Sequence, residues 1–221
     1  EFVNQRKGQP GIIYCGTRAK TETLAKALEE VGHSTCHYHG GMSSADRRVV
    51  ESRFSGEDGL IVVATVAFGM GIDKPDIRWV AHADLPKSIE SFYQEIGRAG
   101  RDGGPAAAYT LYGADDIRLR RSQIDEGLAS VARKSADHGR LNALLGLAEA
   151  LTCRRRTLLQ YFGESNVECK NCDLCETPPE TFDATQPVRK ALSAILRTGE
   201  YFGAGYLIDI LLGIETDKVR N

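Results

Sequence analysis

Cys153, Cys169, Cys172 and Cys175 stand in the spacing C-x15-C-x2-C-x2-C, and four thiolates so placed can converge on one tetrahedral metal ion. In the tight knuckle NCDLC the backbone turns both sulfurs to one side, while Cys153 must arrive from the helix before it. The alternatives are buried free thiols or disulfides; Cys15 and Cys36, alone in apolar runs, favour intracellular thiols over a disulfide scaffold. One structural zinc ion is the expectation. A closed set of four sulfurs leaves no open coordination position, so the metal should fold the module, and a zinc-dependent hydrolase drops out. Arg154, Arg155 and Arg156 follow the first ligand and fan around a helix at about 100° per residue. Arg154 is a candidate phosphate contact, against the plainer reading of a charged, solvated surface.

The second chemical signal is YQEIGRAGRDG at 93–103. Arg98 and Arg101 lie three apart around two glycines at a helix end, so one helical turn should put both guanidiniums on the same side. Glycine removes side-chain bulk where a phosphate or a facing domain must approach, and arginine supplies planar donors for developing phosphoryl charge. Alone, the pattern also describes an arginine-rich solvated helix end. Its context is VVATVAFGMGIDKPDIR at 62–78, where a strand ends at Thr65 and passes into a loop with Gly69, Gly71 and Asp73. Loops beyond the carboxyl ends of parallel strands are where ligands bind in open sheets. A tight turn capped by Asp73 is the plainer alternative.

Five short apolar runs must position these groups: Gly11 to Cys15, Thr35 to His39, Leu60 to Thr65, Trp79 to Ala83 and Ala107 to Tyr112. Amphipathic stretches separate them, which predicts a parallel sheet with crossover helices. Thr17 can cap a helix bearing Leu24, Leu28 and Val31 that stops at Gly32, and Ser43 with Asp46 resembles a capping box. After residue 125 the strand signals vanish, and Leu141, Leu144, Leu145, Ala148 and Leu151 recur at helical spacing. Thr152 is the expected cap of the next helix. Past the cysteines and a linker-like stretch, Pro187 suits a first helical position, with Val188, Leu192, Ile195 and Leu196 on one face.

Bulk properties set only outer bounds. In 221 residues, 42% hydrophobic and 26% charged, there is room for one full domain and one or two smaller ones, and the composition excludes disordered and fibrous classes. A net charge of -2 means that any nucleic-acid contact must come from local patches. No apolar run approaches the ~20 residues of a membrane span, so no membrane partner is expected. The start, EFVNQRKGQP, has neither an initiator Met nor a signal-like apolar region and reads as a cut piece.

Together these motifs resemble the second motor lobe of superfamily-two helicases, and GIIYCGTR at 11–18 with YHGGM at 38–42 makes the chain similar to the RecQ family specifically. The cysteine cluster with TCRRR and YFGE at 152–164 extends the resemblance, and YFGAGYLIDILLG looks like the start of the RecQ winged helix. DEAD-box RNA helicases share only the R-x-G-R core. Where many bacterial relatives carry a small polar residue in YQETGR, this chain has Ile96.

The resemblance implies an α/β fold: a RecA-like parallel sheet with flanking helices, a helical four-cysteine zinc-binding subdomain, and the beginning of a winged-helix domain, at 1–124, 125–180 and 181–221. It implies that Gln94, Arg98 and Arg101 belong to the sixth helicase motif, with the arginines as fingers on ATP held by another lobe. Gly71 and Asp73 would line the same nucleotide interface. Thr17, Arg18 and Thr65 would hold the phosphates of the tracking strand, with His39 a further DNA-facing candidate against a structural role at a strand end. The chain has no GxxxxGK[ST] loop and no acidic metal box to cradle ATP and Mg²⁺, so alone it is expected to be inactive. The intact protein would use ATP to unwind DNA 3′ to 5′ in recombination and repair, inside the cell and at the nucleoid if bacterial. Its partners would be the missing amino-terminal lobe and DNA with a single-stranded tail and duplex junction. The alternative is a non-enzymatic, zinc-containing DNA-binding module derived from a helicase.

Overall fold

The computed structural model describes residues 1–69, 72–165, 168–214 and 216. Strands β1 (Gly11–Tyr14), β2 (Thr35–Tyr38), β3 (Ile61–Ala64), β4 (Trp79–His82) and β5 (Ala107–Thr110) form a parallel sheet in the order β2-β3-β1-β4-β5. The central strands, GIIY, IVVA and WVAH, are buried throughout, as strands covered on both faces must be. Edge strand β2 alternates instead, with Cys36 and Tyr38 inward and His37 half-buried. The strands end a residue or two before the apolar runs do. Cys15, Thr65 and Ala83 still donate one more backbone hydrogen bond to the neighbouring strand, at 2.8, 3.0 and 2.9 Å, before the chain turns into its loops.

Two crossover helices cover the sheet. Helix α1 (Arg18–Glu30) is capped by Thr17, whose hydroxyl accepts from Lys20 N, and it packs Ala25, Leu24 and Leu28 against Ile13, Val63 and Trp79. Val31, expected on that face, is exposed just past the helix end. Helix α2 (Ser44–Gly56) starts at Ser43, whose Oγ accepts from Asp46 N and donates to the Asp46 carboxylate, and it seats Val50 and Phe54 on Tyr38 and Phe68. At Gly11 a Cβ would sit 2.0 Å from the Trp79 indole, so the ring packs here only because the strand opens with glycine.

Helix α3 (Ile89–Ile96) lies at the carboxyl end of β4 and joins a third core made with α4 (Ala114–Glu126), α5 (Val131–Ala148) and α6 (Arg154–Tyr161). Its centre is Leu85, Ile89, Leu141, Leu144, Leu147 and Leu158. Leu151, counted with the α5 face by its spacing, lies beyond that helix and is exposed. Leu141 is wholly inaccessible, so Leu141→Ala should lose about 2 to 5 kcal/mol, read as a lowered urea midpoint at unchanged slope.

The described residues fall into two compact units, Glu1–Cys172 and Asp173–Asn221. The second holds the short α7 (Asp173–Glu176), then α8 (Thr185–Arg197) and α9 (Ala204–Leu212), which pack on each other. Helix α8 begins two residues before Pro187, so the proline takes the third helical position; its missing N–H still falls among those a first turn leaves unpaired. Leu192 and Leu196 of this helix are more than half exposed. Among the described residues no helix is long and apolar enough to cross a membrane.

Candidate functional site

The arginine-bearing segment is shaped by Ser88, which caps α3 by accepting from Ser91 N, and by Gly97, where the helix closes. Arg98 and Arg101 therefore lie in the turns after α3 and not on the single helical turn that their spacing predicts. Their guanidiniums nevertheless reach the same place. Arg98 Nη1 donates to Gly69 O at 2.5 Å, and Arg101 Nη1 lies 3.5 Å from Ile72 O and 3.8 Å from the Asp73 carboxylate. Gly69, at φ +137°, leaves the space that the Arg98 guanidinium fills, since a Cβ there would meet Arg98 Cζ at 2.2 Å. Arg98 Nε is buried without a hydrogen-bond partner among the described residues, while Arg101, Gln94 and Asp73 face solvent. Gly71, the other glycine candidate, lies outside the described residues.

Under these arginines Tyr14 donates to Phe68 O at 3.3 Å and stacks on His82. Burial pushes its phenol up to about 12 despite the pull of Arg98, so it stays a neutral donor. His82 pairs in turn with the buried carboxylate of Glu95 at 2.8 Å, tying β4 to α3. Neither the Tyr14 contact nor the His82–Glu95 pair has a local sequence signature.

A second group gathers where β1, β3 and β4 end. Thr65, Gly16, Asp84, Lys87 and Arg120 line a shallow pocket of about 80 Å³ there, at the point where the strand order reverses across β1. Thr17 and Arg18 open α1 beside it, both exposed, and no acidic residue occupies the first helical turn to compete with an anion. Arg18 lies against Gly41, where a Cβ would come within 2.9 Å of its guanidinium. Asp84, Lys87 and Arg120 carry no motif and were not singled out from sequence.

Two expected phosphate contacts are placed differently. His39 is buried: Gly41 N–H donates to its Nδ1 at 3.2 Å, which leaves the proton on Nε2, 2.8 Å from Glu22 Oε1. With both ring nitrogens engaged, His39 shapes the Gly40–Met42 turn. A metal shared with neighbouring His37 and Glu22, whose ligand atoms lie within 4.8 Å of one another and of His39, would have to displace one of these hydrogen bonds. Arg154 Nη1 donates to Leu147 O and Ala148 O at 2.8 and 3.0 Å, satisfying carbonyls at the end of α5. Arg155 and Arg156 are the solvent-facing members of the trio.

The four cysteine sulfurs come together, all within 4.8 Å of one another, with Cys153 and Cys172 Sγ 4.0 Å apart. Sulfurs bound at ~2.3 Å around a tetrahedral zinc lie about 3.8 Å apart, so the set fits that ion. Cys153, and not Thr152, is the cap of α6: its sulfur accepts from Arg156 N at 3.4 Å. Cys15 and Cys36 lie apart from this cluster in the sheet, where burial pushes both thiols up to about 12 and leaves them inert.

Three family descriptions match the chain: the helicase conserved C-terminal domain at residues 1–103, the RecQ zinc-binding domain at 114–176 and the RQC domain at 178–221. The chain is 45% identical over 219 residues to the ATP-dependent DNA helicase RecQ of Haemophilus influenzae, covering 99% of this chain and 35% of that protein. The RecQ of Pasteurella multocida is 42% identical over 221 residues, with coverage of 100% and 35%, and that of Bacillus subtilis 34% over 220 residues, with coverage of 99% and 37%. The chain thus spans about a third of the length of these curated relatives. A RecA-like sheet, a zinc-binding four-cysteine module and an RQC segment follow one another in one sequence, and by these the chain belongs to the RecQ helicase family.

Proposed function

We propose that this chain is the part of an ATP-dependent 3′ to 5′ DNA helicase that completes the nucleotide site from the opposite side. The observation that carries the reading is the meeting of Arg98 and Arg101 at Gly69, Ile72 and Asp73. One guanidinium is locked by Gly69 with its Nε left over, and the other is held loosely at an exposed edge. Two arginines on one loop, with Gln94 exposed beside them, suit the charge that develops on a transferred phosphoryl group. Gly71 and Asp73 would border the same nucleotide. ATP and Mg²⁺ would be held by an amino-terminal lobe, and the arginines would complete the site only when the lobes close.

Thr17, Arg18 and Thr65 are proposed to hold the backbone of the tracking strand. Thr17 Oγ1 accepts from Lys20 N and keeps its own proton for a phosphate, and Arg18 supplies the charge. His39 acts here by shaping the Gly40–Met42 turn, and Arg154 is proposed to meet a phosphate only while its Nη1 stays on the α5 carbonyls. The motor part is proposed at 1–124, the zinc module at 125–180 and the winged-helix start at 181–221, with α4 bridging the first two because Ile117 and Ile124 pack on the α5 core. Single-stranded tails and duplex junctions are the proposed substrates, in recombination and repair inside the cell, at the nucleoid in a bacterium. With the intact protein, ATP and Mg²⁺, a duplex bearing a 3′ single-stranded tail should be unwound and the same duplex with a 5′ tail should not. Equal unwinding of both would contradict the 3′ to 5′ polarity, and binding of both without unwinding would favour the non-enzymatic DNA-binding module instead.

A further inference from the structure

Helix α3, which leads into Arg98 and Arg101, is gripped from the side by α6. Tyr161 at the end of α6 donates its hydroxyl to Glu90 Oε1 at 2.7 Å, and Arg140 of α5 lies 3.5 Å from the same oxygen. Burial alone would raise the Glu90 carboxyl, but the hydrogen bonds from Tyr161 and Ser88, with Arg140 nearby, outweigh it and hold the group below the usual carboxylate range. Glu90 is thus a carboxylate in the first turn of α3, where the helix dipole favours it, and it is anchored outward to the zinc-bearing helices. Three residues further along α3, Tyr93 packs on Phe162 at 4.8 Å, and Phe162 meets Tyr161 edge-on at 5.1 Å. The opposite end of α6 begins at Cys153, a zinc ligand that also caps it. One short, two-turn helix therefore runs from the four-cysteine cluster to the flank of the arginine helix.

From this geometry we infer that Tyr161 and Phe162 are positioning residues for the arginine fingers: through Glu90 and Tyr93 they fix the placement of α3, making the zinc module part of the ATP-hydrolysing machinery. The inference rests on the arginine assignment above. Positioning is a sensitive variable, since a displacement of about 1 Å at a reacting centre can lower a rate ~10²-fold. Tyr161→Phe removes one hydroxyl and leaves the ring contacts. Glu90→Gln keeps an acceptor for Tyr161, whereas Glu90→Ala does not.

The test uses the intact protein and measures kcat and KM for ATP with saturating single-stranded DNA, together with zinc content, melting temperature and DNA affinity. Tyr161→Phe and Glu90→Ala should each lower kcat between several-fold and ~10²-fold, with KM, zinc content and DNA affinity unchanged. Glu90→Gln should retain most of the rate, and the double variant Glu90→Ala with Tyr161→Phe should be no slower than the worse single one, as for residues acting through one contact. A fall in melting temperature with unchanged kcat, or a fall in kcat only alongside lost zinc, overturns the proposal. Arg101→Ala is the control: if it retains full turnover, the arginine assignment itself has failed, whatever Tyr161→Phe does.

Discussion

Stripping the metal from the four-cysteine site should unfold the helices around it, read as loss of far-ultraviolet helicity and of the cooperative melt when the protein is incubated with a strong zinc chelator. The expectation follows from magnitude. A structural zinc bound by thiolates contributes ~10 to 16 kcal/mol, comparable to or above the ~5 to 15 kcal/mol that keeps a whole domain folded. It follows also from place. Cys153 both ligates and caps α6, and α6 delivers Leu158 to the core shared by α3 and α5. Loss of the ion removes a cap, a helix and then part of that core. Cys172→Ser, which leaves three thiolates, should reproduce the effect without chelator, and zinc added back should restore the wild type but not the variant. A wild type that keeps its helicity with zinc measured as absent would contradict a structural metal.

The largest expected effect on activity belongs to Arg101→Ala. In the intact protein it should lower single-stranded-DNA-stimulated ATP hydrolysis by ~10³-fold or more, the scale on which an arginine finger acts in related phosphoryl transfer. Stability should scarcely change, because Arg101 is exposed and its pairing with Asp73, at 3.8 Å and largely in water, is worth little to the fold. Arg98→Ala should be costlier to the structure, since it empties the space under Gly69 and leaves Gly69 O without its donor. The pair therefore separates two roles: Arg101 should lose rate with the melting temperature kept, and Arg98 should lose some of both. An Arg101→Ala protein hydrolysing ATP at the wild-type rate would remove the finger from this residue.

What could be read from the sequence was what is local or periodic. Cysteine spacing anticipates a cluster because short loops limit how far ligands can separate, and the runs GIIY, IVVA and WVAH anticipate a buried parallel sheet because no exposed strand tolerates two apolar faces. Side-chain direction was less legible. A histidine ending a strand gives no sign of which way it points, and only the folded chain shows Glu22 and Gly41 on either side of His39. Three consecutive arginines fan around a helix, and nothing before folding reveals that the exposed carbonyls of α5 lie beside the first of them. Helix α4 hides in a polar stretch whose few inward residues, Ile117 and Ile124, acquire meaning only against α5. The contact of Tyr161 with Glu90 spans 71 positions and has no local trace at all.

Complementation decides whether this chain completes a nucleotide site held elsewhere. The chain, its natural amino-terminal lobe and a stoichiometric mixture of the two would be assayed for ATP hydrolysis with single-stranded DNA, with association of the two parts measured in parallel. Turnover should be negligible for either part alone, present in the wild-type mixture, and lost when the chain carries Arg101→Ala. An associated wild-type mixture that stays inert, or an Arg101→Ala mixture as fast as wild type, would contradict this role.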